Sequence, residues 1–160
     1  MKLNNHNKLK IQLKMNKPLS IIIHCSATPL NRDYSVLDID RIHRQKWYAC
    51  IGYHYYITKD GIIHLGRPVS KVGAHCLGMN DKSIGICYEG GLNSDMKPAD
   101  TRTVYQKSAL ISLLRDLLVK YPLITNIYPH YKFANKACPC FNAETEYVYL
   151  LKYKTDGLLK

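Results

Sequence analysis

Three side chains in this sequence have the types and the setting for metal chemistry. His24 ends the β-branched run Ser20-Ile21-Ile22-Ile23, His130 follows the apolar run Ile124 to Tyr128, and Cys138 lies eight positions later beside Pro139. Imidazole nitrogen and thiolate sulfur together suit zinc, and three protein ligands with one open position describe a catalytic rather than a structural site. Each residue taken singly also has an ordinary reading. A histidine near a strand end is commonly a hydrogen-bonded structural residue, and a free cysteine commonly packs as a small hydrophobe.

The elements needed to bring these residues together are legible in the pattern. The run from Ser20 to His24 reads as a buried strand stopped by Ala27-Thr28-Pro29. Ser35 with Asp38 forms a capping box, and Val36, Ile39, Ile42 and Trp47 suit the apolar face of a helix. Tyr53 to Thr58 alternates, Lys59-Asp60-Gly61 signals a turn and Ile62 to Leu65 continues, which together predict a hairpin. Gly66 to Ser83 carries glycine, proline and asparagine with little periodicity and is expected to be a long loop of the kind that often holds function. Ile84 to Tyr88 returns to strand character before Gly90-Gly91. Thr103 and Gln106 open a helix striped by Leu110, Leu113, Leu114, Leu117 and Leu118, and Pro122 follows it. Ile124 to Tyr128 makes a last strand, and Ala143 to Lys154 a closing helix. Strands alternating with helices predict an α/β layer structure, and there is no internal repeat.

With 160 residues and 46% hydrophobic content, the chain suits one domain with one core. Lysine and arginine number 23 against 12 acidic residues, a formal charge of +11 that calls for an anionic partner such as nucleic acid, a membrane surface or an acidic envelope polymer. Part of that charge lies in residues 1–19, expected to form a basic flexible arm ahead of a domain spanning 20–160. Leu3, Leu9, Ile11 and Leu13 are scattered among lysines and form no apolar export region, and no apolar stretch is long enough for a bilayer. The expectation is therefore a protein made in the cytoplasm without a signal peptide. Of the six cysteines, Cys50, Cys76 and Cys87 read as reduced, buried thiols.

The segments His24-Cys25-Ser26-Ala27-Thr28, Gly52-Tyr53-His54-Tyr55, Val72-Gly73-Ala74-His75, Asn80 with Ser83-Ile84-Gly85-Ile86, and Lys136-Ala137-Cys138-Pro139 occur in one order. Together they closely resemble the type 2 N-acetylmuramoyl-L-alanine amidases, which include small phage lysozyme-type amidases and animal peptidoglycan recognition proteins. The resemblance runs from about Ile21 to Phe141. It implies a single domain with a central mixed β-sheet flanked by helices and a zinc site at one end of a substrate groove. By position it places one zinc ion on His24, His130 and Cys138, the catalytic tyrosine on Tyr53 and the lysine of the phage-type members on Lys136. His75 and Asn80 fall in the segment resembling the groove, where they would contact muramic acid or the stem peptide. His54 is read as structural, since a strand turns its side chain away from that of Tyr53. Cys140 departs from the usual pattern and is read as an uncoordinated thiol. His6, His43 and His64 match no ligand position.

These residue types suit amide hydrolysis. Zinc polarises a carbonyl and lowers the pKa of bound water toward about 7. Lys136 would face the oxyanion of the tetrahedral adduct, and Tyr53 would hydrogen-bond the attacking water or pass a proton to the leaving amine. The reaction expected is cleavage between N-acetylmuramic acid and L-alanine of bacterial peptidoglycan, by a monomeric phage or prophage endolysin or a delivered lytic effector. Such an enzyme reaches the wall after release, aided by its basic charge at the anionic envelope. The alternative is a receptor that binds the wall without cutting it, in which the cysteine ligand is typically replaced. Specific nucleic-acid binding rests on charge alone, with no recognisable motif.

Overall fold

The computed structural model describes residues 15–159. Its elements run in the order β1 (Ser20–Cys25), α1 (Val36–Gln45), β2 (Tyr55–Ile57), β3 (Ile63–Leu65), β4 (Ser83–Tyr88), α2 (Val104–Lys120), β5 (Asn126–Pro129) and α3 (Ala143–Thr155), with a 3-10 turn at His130–Lys132. The strands form one mixed sheet in the order β3-β2-β4-β1-β5. β1 runs parallel to β4 on one side and to β5 on the other, β2 runs parallel to β4, and β3 closes the edge as the antiparallel arm of a hairpin.

Strands with neighbours on both sides and layers on both faces are apolar throughout, and β1 and β4 are buried at every position. Period-two alternation then sorts their side chains between two layers. Ile21, Ile23, Ile84 and Ile86 pack with Leu110, Leu114, Leu117 and Leu118 of α2 and with Tyr147 and Leu150 of α3. Across the sheet, Tyr56 and Cys87 pack with Ile39 of α1 and with Ile51, flanked by Ile42 and Tyr53. Arg102, buried just before α2, is gripped by Asp100 and by Glu146 of α3, which ties the last helix to the body.

Both predicted capping boxes form, Ser35 with Asp38 on α1 and Thr103 with Gln106 on α2. Gln106 reaches further, its Nε2 donating to the buried carbonyls of Ile57 and Glu89, so that one residue caps a helix and satisfies two strand ends. Trp47 departs from its expected place on the face of α1. The helix ends at Gln45, Trp47 has a positive φ of 67°, and its ring is 96% exposed. Tyr53 also precedes β2 rather than opening it. His54 stands on the opposite side as expected, with Nδ1 accepting from Gly85 N–H and Nε2 facing the Lys71 carbonyl, and burial lowers its pKa to about 4.

Of the basic arm expected over residues 1–19, residues 1–14 lie outside the described residues and residues 15–19 lie within them. Asn16 N–H donates to Ser70 O, Asn16 Nδ2 to Ser83 O, Lys17 N–H to Asp81 O and Leu19 N–H to Lys82 O. Residues 15–19 are thus strapped along the loop of residues 66–83, a placement the charged composition conceals. No helix among the described residues is long and apolar enough to cross a membrane.

Candidate metal centre and active site

β1 delivers His24 at its C-terminal end with 1% of its surface exposed. β5 and the 3-10 turn after it bring His130 alongside, with the two rings 4.3 Å apart. The loop after the turn folds back through a 2.8 Å bond from Tyr131 N–H to Cys138 O, which sets Cys138 against the end of β1. There the Cys25 N–H points at Cys138 Sγ from 3.2 Å, a donor suited to a thiolate. The candidate ligand atoms of His24, His130 and Cys138 all lie within 4.8 Å of one another.

The donors of this cluster are poised for a cation. Burial, reinforced by His75, His130 and Lys136, holds His24 well below the usual imidazole range, and burial with Lys136 does the same to His130. Both rings are therefore neutral at neutral pH and keep a lone pair. His130 Nδ1 is buried without a hydrogen-bond partner, the kind of orphaned atom that a metal explains. Two neutral imidazoles and a thiol in a cleft open to solvent fit a zinc ion with a free position.

The cluster opens into a cleft of about 220 Å³ whose lining includes Tyr53, Lys136, His43 and Ser26. The Tyr53 ring is 5.1 Å from both His24 and His43. Burial, with the nearby Cys87, Cys138 and Cys25, pushes its pKa well up, so it stays a phenol. Lys136 is exposed on the rim, and its charge is felt by both candidate histidine ligands. Of the five residues expected at the reaction centre, His130, Cys138, Tyr53 and Lys136 line one cleft, and His24 is buried against His130 and Tyr53.

His75 and Asn80 lie in the loop of residues 66–83, both partly exposed. His75 lies behind His24 with Nδ1 3.0 Å from His24 Nε2 and Nε2 3.5 Å from Ser83 Oγ. Both ring nitrogens are spent inside the protein, and burial lowers the pKa to about 3. Asn80 Oδ1 accepts from the N–H groups of His75 and Cys76, holding the loop that carries the ring. Through these bonds both residues support the site from within the protein.

Sequence reasoning passed over His43, which matches no ligand position yet lines the cleft, its Nδ1 accepting from Gly52 N–H at 2.8 Å. Its i to i+4 spacing from Ile39 on α1 was the available signal. The N–H of Cys25 carried no signal, because every residue but proline has one. Cys140 lies outside the ligand cluster, with Sγ 3.9 Å from Cys25 Sγ and 3.4 Å from the Gly91 carbonyl, and burial with the neighbouring Cys25 raises its pKa to about 12.

A buried pair of imidazoles and a cysteine at the end of a mixed sheet, beside a cleft with a tyrosine and a lysine, fit the site of a hydrolase. The chain belongs to the N-acetylmuramoyl-L-alanine amidase family, whose model matches residues 14–141, and it is an amidase. It is 36% identical over 136 residues to the endolysin of Enterobacteria phage K11, covering 84% of this chain and 89% of that one. The endolysin of Klebsiella phage KP32 is 37% identical over 134 residues, covering 83% and 88%. Among solved structures, the N-acetylmuramoyl-L-alanine amidase LysC from Clostridium intestinale URNW superposes with a TM-score of 0.72 at 35% identity, over 88% of this chain and 87% of that one.

Proposed function

We propose that this protein is a zinc-dependent endolysin that hydrolyses the amide bond between the lactyl group of N-acetylmuramic acid and L-alanine in bacterial peptidoglycan. The observation that carries the reading is the convergence of His24, His130 and Cys138, the last two on the wall of a cleft that Tyr53 and Lys136 also line. The endolysin relatives, matched over most of both chains, supply the setting.

His24, His130 and Cys138 would hold a zinc ion, which when bound would supply Lewis acidity to the amide carbonyl and to water near neutral pH. Addition of water moves the carbonyl π electrons onto oxygen, and the Lys136 ammonium faces that developing charge from the rim. Tyr53, held as a phenol, hydrogen-bonds the attacking water or protonates the nitrogen that leaves as alanine's amine. The formal charge of +11 draws the protein to the anionic envelope.

Mass spectrometry of purified peptidoglycan after digestion tests the assignment. The expected products are stem peptides with a free N-terminal alanine and glycan strands with intact lactyl carboxylates. New reducing sugar ends, or cleavage between two amino acids, would show a different hydrolase, and wall binding without any product would show a receptor.

A further inference from the structure

The loop of residues 66–83 is built to hold one imidazole. A Cβ on Gly73 or on Gly85 would come within 2.5 Å of the His75 ring, so the two glycines form a slot that fits the ring and nothing thicker. Asn80 fixes the loop backbone on the other side through the N–H groups of His75 and Cys76. What the ring touches then decides where its proton sits.

The protons can be followed from Ser83, the first residue of β4. Its hydroxyl donates to the Met79 carbonyl at 2.7 Å, so its single proton is committed and only a lone pair is left for His75 Nε2. The Ser83 backbone carbonyl is a further acceptor for the same ring. Facing acceptors only, Nε2 must carry the ring proton, and a neutral ring then presents Nδ1 as an acceptor. At 3.0 Å from that lone pair, His24 Nε2 must be the donor. The remaining nitrogen of His24, Nδ1, is left with a lone pair.

We propose that His75 is a positioning residue: the chain from the Met79 carbonyl through Ser83 Oγ and His75 holds His24 in the one tautomer whose Nδ1 can bind the metal. The inference rests on the zinc reading above for its purpose, although the tautomer itself does not depend on it. Partners of this kind orient ligating histidines and typically carry a factor of about 10 to 100 in metal affinity.

Long-range nitrogen–proton NMR of the metal-free full chain reads the tautomer of each histidine without any substitution. His24 and His75 should both carry the proton on Nε2, and a His24 protonated on Nδ1 would overturn the proposal. Zinc affinity by competition with a chromogenic chelator provides the second arm. His75→Phe, which keeps a ring in the slot but offers no acceptor, should bind zinc about 10- to 100-fold more weakly. His75→Asn, whose Oδ1 takes the place of Nδ1, should recover most of that loss. Native affinity in His75→Phe would again overturn it. A native chain that takes up no zinc would sink the proposed function instead, while the NMR result still decides the tautomer.

Discussion

Lys136 and Cys140 flank the candidate ligand Cys138 two positions to either side, and their surroundings give them opposite fates. Lys136 stands on the rim of the cleft, where its charge already acts on His24 and His130. An interaction that exists only when negative charge develops on the attacked carbonyl lowers turnover when removed and leaves binding alone. Lys136→Ala should therefore keep its zinc and its affinity for walls while kcat on a soluble muropeptide falls about a hundredfold. A proportional loss of wall binding would make the lysine a contact to the ground-state substrate. Cys140 faces the Gly91 carbonyl and Cys25 rather than the ligand cluster. Cys140→Ser should accordingly retain zinc and activity, whereas Cys138→Ala should lose both in metal analysis and turnover assays. The candidate ligands stood out in the sequence because imidazole and thiol are few and chemically distinctive. His75 was legible only as a candidate, and its direction was not, because the bond that defines its role joins residues 51 positions apart.

At the scale of elements, the site depends on how closely β4 lets the loop approach. Gly85 sits mid-strand opposite Ile22 of β1, and its missing side chain is what admits the His75 ring. Glycine in a strand is otherwise a weak choice, so its presence marks a close approach. Gly85→Ala should push His75 from its slot, lowering the thermal midpoint and weakening zinc binding together. A variant with native stability and native zinc affinity would show the slot to be loose. Capping boxes and leucine stripes announced α1 and α2 because such signals are local. The end of α1 was not announced, since Trp47 looks like a core residue until the chain turns through a positive φ and leaves it in solvent. The anchoring of residues 15–19 was hidden for a related reason: it consists of hydrogen bonds to the backbone of residues 70 and 81–83, and composition carries no trace of them.

For the molecule as a whole, the order β4-β1-β5 places the ligands at the carboxyl ends of β1 and β5, where open α/β sheets commonly hold their sites. Holding a cluster of neutral histidines there makes stability depend on acidity. His54, buried and kept neutral down to about pH 4, has a folded pKa below the ordinary value of 6.5. Between those two values the unfolded chain binds the proton and the folded one does not, so stability is full above pH 6.5 and is lost as pH falls. Urea titrations of the metal-free protein should show a loss of about 2–3 kcal/mol from this histidine between pH 7 and pH 4.5. Stability that stays flat across that window would mean that His54 is protonated in the fold.

On the reading proposed above, His24, His130 and Cys138 hold the metal on which amide hydrolysis depends. The measurement that reaches this dependence most directly is zinc content per chain, followed in one preparation alongside turnover of a soluble muropeptide while a chelator removes the metal. One zinc per chain is expected, with turnover falling in step with its removal and returning when zinc is restored. Full turnover from a chain shown to be free of metal would contradict the account.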